Sequence, residues 1–213
     1  MRPEPADPPV AHAADAPRVL VIGCGALARE LLALTRDLPG VKVTCVDARL
    51  HMRPERIADA VSARIRRARR EYGPEIRIFV AYADCGTRGS LDEVLAVAGV
   101  ERIEGAHCYE FYAGAATYEW LQDEEPGTFY LTDFLARQFD TLIVAGLGLD
   151  RHPELRDAYF GNYRRLVYLA QSDDPALTAK ARAAGERLGL AFERRYTGFG
   201  DLATSLRTAA GAA

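Results

Sequence analysis

Short apolar runs alternate along this chain with stretches whose apolar residues recur at helical spacing, and no other feature limits the fold as much. RVLVIG (18–23) is a continuous apolar run closed by glycine, the pattern of a strand buried on both faces. Ala26 to Asp37 follows with Leu27, Leu31 and Leu34 at helical spacing. VKVTCVD (41–47) reads as a second strand. Arg53 to Tyr72 reads as a helix with Ile57, Val61, Ile65, Ala68 and Tyr72 in one stripe and Pro54 in its first turn. EIRIFVAYA (75–83), Glu101–Glu104, RLVYLA (165–170) and Leu190–Tyr196 complete the expected strands. Helices are expected at Ser90–Ala98, Pro153–Phe160, Ala176–Leu188 and Asp201–Thr208, and Thr132 is a fitting amino-terminal cap for the residues from Asp133 on. Thr141–Leu149 fits either a strand or the tail of that helix. Alternating strands and helices specify an α/β fold, Rossmann-like, with a mostly parallel sheet flanked by helices. The expected organisation is a disordered tail at 1–16, a single α/β domain at 17–208 with a helical insert at about 109–163, and a flexible end at 209–213.

Composition excludes several classes of function. The 213 residues are 49% hydrophobic, enough for a core without staples, and the net charge of -3 is spread over mixed signs, with no nucleic-acid footprint. The arginines of 64–70 are interleaved with acids and read as a solvated helix face. No apolar run approaches the roughly 20 residues that span a bilayer, and the first residues lack the apolar centre of a signal peptide, so a cytoplasmic location is expected. Cysteines there stay reduced, which argues against a disulfide framework.

The expected strands place the four cysteines. Strand one exits into Gly23-Cys24-Gly25, strand two carries Cys45, strand three exits into Asp84-Cys85-Gly86-Thr87, and strand four into Gly105-Ala106-His107-Cys108-Tyr109-Glu110. In a parallel sheet these carboxyl ends share one edge, where ligands bind. Thiolates with imidazole favour zinc, iron, copper(I) or an iron–sulfur cluster. Cys24, Cys85 and Cys108 are the expected thiolate ligands, with Cys45 or His107 as the fourth; Cys45 lies inside its strand, where it can equally face the core. The chain has no CxxC pair, and free cysteines often serve as small core residues. Asp84 and Glu110 are candidate proton-transfer or supporting groups, although Asp84 also suits a turn and Glu110 a helix amino terminus. Asp150 and His152 form a second acid–imidazole group on a loop, and no GxSxG elbow is present.

The same residues support a rival reading. Gly23-Cys24-Gly25-Ala26-Leu27-Ala28 fits GxGxxA after a first strand, and Asp47 lies 19 positions beyond Ala28. That is the outline of an NAD or S-adenosylmethionine site, with Gly23 and Gly25 at the phosphate loop, Asp47 on the ribose and Gly86 allowing close approach from the neighbouring exit loop.

GCGAL (23–27), YADCGT (82–87), GAHCYEFYAG (105–114), GTFYLTDFL (127–135), GLGLDRHPELRDAYFGNY (146–163) and YLAQ (168–171) together resemble a family catalogued as domain of unknown function 1638, over about residues 17–206. The resemblance implies shared cysteines at Cys24, Cys45, Cys85 and Cys108, with His51 and His107. In that family the second strand more often runs into a Cys-x-Leu-Pro turn, where this chain has Val46-Asp47-Ala48. It also implies an association with corrinoid-dependent methyltransferase systems, hence a role beside methyl transfer. The expectation is therefore a Cys/His site for a transition metal (zinc or iron) or an iron–sulfur cluster, serving corrinoid-linked methyl or thiol metabolism. Its partner would be a small molecule or a cofactor-bearing protein such as a corrinoid protein, with no nucleic acid and no membrane. The alternatives are a Rossmann-type NAD or S-adenosylmethionine enzyme and a non-catalytic metal or cofactor carrier; whether the chain is an enzyme stays open.

Overall fold

The computed structural model of the protein describes residues 16–211, so all but the last residue of the expected tail, and the final two residues, lie outside it. The fold is α/β with parallel strands throughout, as the alternation predicts. The described residues fall into two compact units, one running to Ile103 and taken up again from Leu206, the other Glu104–Ser205.

The first unit is built on β1 (Val19–Cys24), β2 (Val41–Val46), β3 (Arg77–Ala81) and β4 (Glu101–Arg102), in the order β2-β1-β3-β4. Central β1 is buried at every position, as its unbroken apolar run requires, while edge strand β2 is mostly half-exposed. Gly23 pairs with Cys45 on one side and Ala81 on the other, which fixes the register at the carboxyl edge. The helices α1 (Ala28–Thr35), α2 (Ile57–Tyr72) and α3 (Ser90–Ala98) cover the sheet. The α2 stripe of Ile57, Val61, Ile65 and Ala68 is buried, and Pro54 opens a short 3-10 turn just ahead of it. A side chain at Gly23 would strike Leu31 of α1, so the strand glycine is what lets that helix pack close.

The second unit carries β5 (Thr128–Leu131), β6 (Arg165–Ala170) and β7 (Ala191–Tyr196) in sequential order, with α4 (Cys108–Ala113), α5 (Ala115–Glu124), α6 (Asp133–Phe139), α7 (Leu155–Phe160) and α8 (Pro175–Leu188). Asp174 caps α8 by accepting from Ala176 and Leu177, and Gly189 closes it in the left-handed region at φ 73°. The core packs Leu135 and Phe139 of α6 and Leu177 and Leu188 of α8 with Leu166 and Tyr168 of β6. Thr132 caps α6 as expected, and α6 runs on into a π-helical turn at Asp140–Ala145. Helix α9 (Gly200–Ala210) bridges Ser205 and Leu206, where the chain passes from the second unit back to the first.

Three expectations need correction. The strands form two sheets rather than one. The segment 109–163 is not a helical insert, because Thr128–Leu131 within it is a strand that starts the second sheet; four residues are too few for periodicity to reveal. The final helix reaches Ala210, beyond the expected stop at 208.

Candidate functional site

The first sheet places chemistry at its carboxyl edge through its strand order. From β1 the chain moves outward to β2 and then returns to the other side of β1 to form β3. Between the ends of β1 and β3, therefore, the connections leave in opposite directions, and a crevice opens. Cys24 ends β1; Cys85 follows the end of β3 by four residues.

The Cys24 sulfur accepts the Ala26 N–H at 3.4 Å and so caps the turn into α1. Burial pushes this thiol up to about 11, against hydrogen bonds from Tyr82 and Ala26, and the charges of Cys85 and Cys45 raise it further. Cys85 and Cys45 are therefore each within electrostatic reach of Cys24. Cys45 sits on β2 beside Gly23; burial raises it and the Arg64 guanidinium pulls it down. Cys85 is held at φ 49°, a left-handed conformation that costs a non-glycine residue about 1–2 kcal/mol. Gly86, Arg88 and Gly89 share that sign of φ, so the whole loop is tightly wound.

Asp84 is what winds it. Its carboxylate accepts from the Thr87 hydroxyl (2.5 Å) and from the N–H groups of Gly89 (3.0 Å), Gly86 (3.2 Å) and Arg88 (3.2 Å). Burial works to raise its pKa, but these four donors outweigh it and hold the carboxyl below its ordinary range. The carboxylate is committed to the loop, which favours the turn role over the proton-transfer role. Gly86 lies near Pro54, 3.4 Å from where its side chain would begin.

The nucleotide outline meets obstacles in the same loops. A side chain on Gly25 would come within 2.8 Å of both Val46 O and Ala48 N, so the chain's own backbone occupies the approach a pyrophosphate needs. Asp47 is engaged by Arg49, which donates from its backbone N–H at 2.9 Å and through its guanidinium at 2.7 Å; the Arg49 hydrogen bonds hold the carboxyl below its usual range. These glycines and this aspartate have local structural work that accounts for their positions.

In the second unit, Cys108 opens α4 and His107 occupies the capping position without a side-chain cap. The His107 ring lies 6.3 Å from that of Tyr109. Glu110 turns back and accepts the Ala106 N–H at 2.7 Å, bracing the turn at Gly105. His152 meets Glu154 at 3.2 Å rather than Asp150, and both are exposed. Among the described residues no group of three or more His, Cys, Asp and Glu is arranged to hold a metal ion.

Two features had little signal in the sequence. Tyr82, buried just past β3, reaches Cys24. Asp133, 1% exposed, accepts from the Tyr168 hydroxyl (2.6 Å), the Gln171 N–H (3.0 Å) and the Ser172 hydroxyl (2.5 Å) and pairs with Arg137. A tyrosine inside an apolar strand needs a buried partner, which was the available clue.

A family model described as "Protein of unknown function (DUF1638)" matches residues 45–206. The match begins at Cys45, so the Cys24 loop stands outside it, short of the extent expected from the sequence motifs. Comparisons with curated proteins and with solved structures return no match.

Proposed function

The chain belongs to the DUF1638 family, and we propose that its first unit holds a thiophilic metal, or a cofactor that brings its own metal, through the thiols of Cys24 and Cys85 with Cys45 beside them. The observation that carries this reading is the Cys24 thiol at a strand-order switch point with Cys85 and Cys45 each in its electrostatic reach, Cys85 being kept in a costly backbone conformation. Soft donors select zinc, iron, copper(I) and cobalt-type centres over magnesium or calcium. A metal that arrives with other ligands needs only one or two thiolates from the protein, which suits an arrangement lacking a full ligand set. A corrinoid fits that description and agrees with the methyl-transfer association that the family resemblance implies, so the role is that of a carrier or accessory in methyl or thiol metabolism.

The burial of Cys24 makes it a protonated thiol until a ligand replaces the proton, and binding should release protons and strengthen as pH rises. The test is anaerobic titration of the full chain with zinc, ferrous iron and hydroxocobalamin, followed by absorbance and metal analysis. Stoichiometric binding of at least one, lost in both Cys24→Ser and Cys85→Ser, supports the reading. Absence of binding to all three, or binding that survives both substitutions, overturns it.

A further inference from the structure

The second unit contains a cavity of about 500 Å³ at the carboxyl edge of β6 and β7, and none of the residues that line it is a cysteine. Leu169 of β6, Tyr196 of β7, Thr197 just past it, and Tyr112 and Gly114 from the end of α4 line it. The volume lies in the range of sites for small organic molecules, and the carboxyl edge is where parallel sheets bind them. Two of the motifs noted in the sequence, GAHCYEFYAG and YLAQ, supply lining residues here, and the thiol chemistry uses neither of these stretches.

Arg195 sets the chemistry. Its guanidinium lies over the Trp120 ring at 4.9 Å and its Nε donates to Glu193 at 2.5 Å, so the plane of the fork is fixed from two directions. The two terminal nitrogens have no hydrogen-bond partner among the described residues, and the side chain is one-third exposed. A planar fork held in this way is suited to bidentate capture of a carboxylate. The exposed Thr117 and Tyr196 bring hydroxyl groups to the same cavity, and the rings and methyls along its lining can pack an organic body. Asp201 also lines the cavity, and Glu193 offsets part of the arginine charge, so a polyanion is disfavoured.

We propose that this cavity is a binding site for a small organic carboxylate, whose carboxylate docks on the Arg195 fork. Trp120 is the protein's one tryptophan, and its contact with Arg195 makes its fluorescence a direct reporter. The full chain is titrated with butyrate, succinate and glutamate, and separately with inorganic phosphate, each against chloride at equal ionic strength. A saturable change with at least one carboxylate, stronger than with phosphate, is expected. That affinity should fall at least tenfold in Arg195→Gln. It should fall similarly in Thr117→Phe, an exposed helix position where the larger ring fills the cavity without disturbing the core. No saturable response beyond chloride, tighter binding of phosphate than of every carboxylate, or affinity unchanged in both variants overturns the proposal.

Discussion

Raising the pH should remove stability through one cysteine. Burial lifts Cys24 from its ordinary 9.0 to about 11 in the folded chain. Below about pH 9 the thiol is protonated whether the chain is folded or not, so its contribution is fully present. Between those values the unfolded chain gives up its proton while the folded chain keeps it, and stability falls. The interval is worth about 3 kcal/mol in full, and about 2 kcal/mol is gone by about pH 10.5. Phenols add to the alkaline loss, since burial also raises Tyr118 (to about 12), Tyr130 and Tyr168. The cysteine is isolated by comparison with Cys24→Ala, in which Tyr118, Tyr130 and Tyr168 are kept. Urea unfolding of both proteins in reductant, followed by far-ultraviolet circular dichroism, gives the stability difference at each pH. The advantage of the native chain should be constant below about pH 9 and shrink by about 2 kcal/mol by about pH 10.5. A difference that stays flat across that range would show that Cys24 is not in a desolvated site, and the reasoning built on its burial would fail.

Gly25→Ala should destabilise the chain by about 1–3 kcal/mol in the same assay, because its methyl meets backbone at Val46 and Ala48 rather than yielding side chains; a neutral result would reopen the nucleotide reading. Cys85→Gly should leave stability unchanged or raise it by up to about 1 kcal/mol while abolishing soft-ligand binding, since glycine relieves the left-handed strain at this residue. Asp133→Ala should cost about 3 kcal/mol, leaving the Tyr168 hydroxyl and Gln171 N–H buried without their acceptor; thermal unfolding will measure it. In Asp84→Ala the loop loses four acceptor contacts, and faster alkylation of Cys85 than in the native chain is the expected sign.

Strand-to-helix alternation was legible because it is local. RLVYLA at Arg165–Ala170 and SLDEVLAVA at Ser90–Ala98 were read with their observed bounds, since an apolar run and a 3.6-residue stripe carry their own signal. Sheet membership is a different matter. Nothing in TFYL or RLVYLA says that these strands pair with each other and with AFERRY rather than extending the sheet of VLVIGC. Pairing is decided by contacts between residues dozens of positions apart, and those leave no trace in a local pattern. Dividing one expected sheet into two followed from that single missing piece of information.

The site was legible to the same depth. The positions of Cys24 and Cys85 at or just past strand ends, and of Cys45 within its strand, were legible because each depends on one strand alone. Cys108 was placed through a fourth strand, which is only two residues long, and the residue itself opens α4 in the second unit. The glycines show how much motif spacing leaves open. GxGxxA describes where small residues are needed, not what approaches them. At Gly23 the neighbour is Leu31, and at Gly25 it is the turn after β2, so both requirements are met by the fold itself. Cys85 is different: a glycine would serve its backbone better, and the strain falls on a thiol-bearing residue in the loop after β3, next to the switch point. Backbone strain alone favours glycine there, so the thiol is the best single target for establishing what this edge binds.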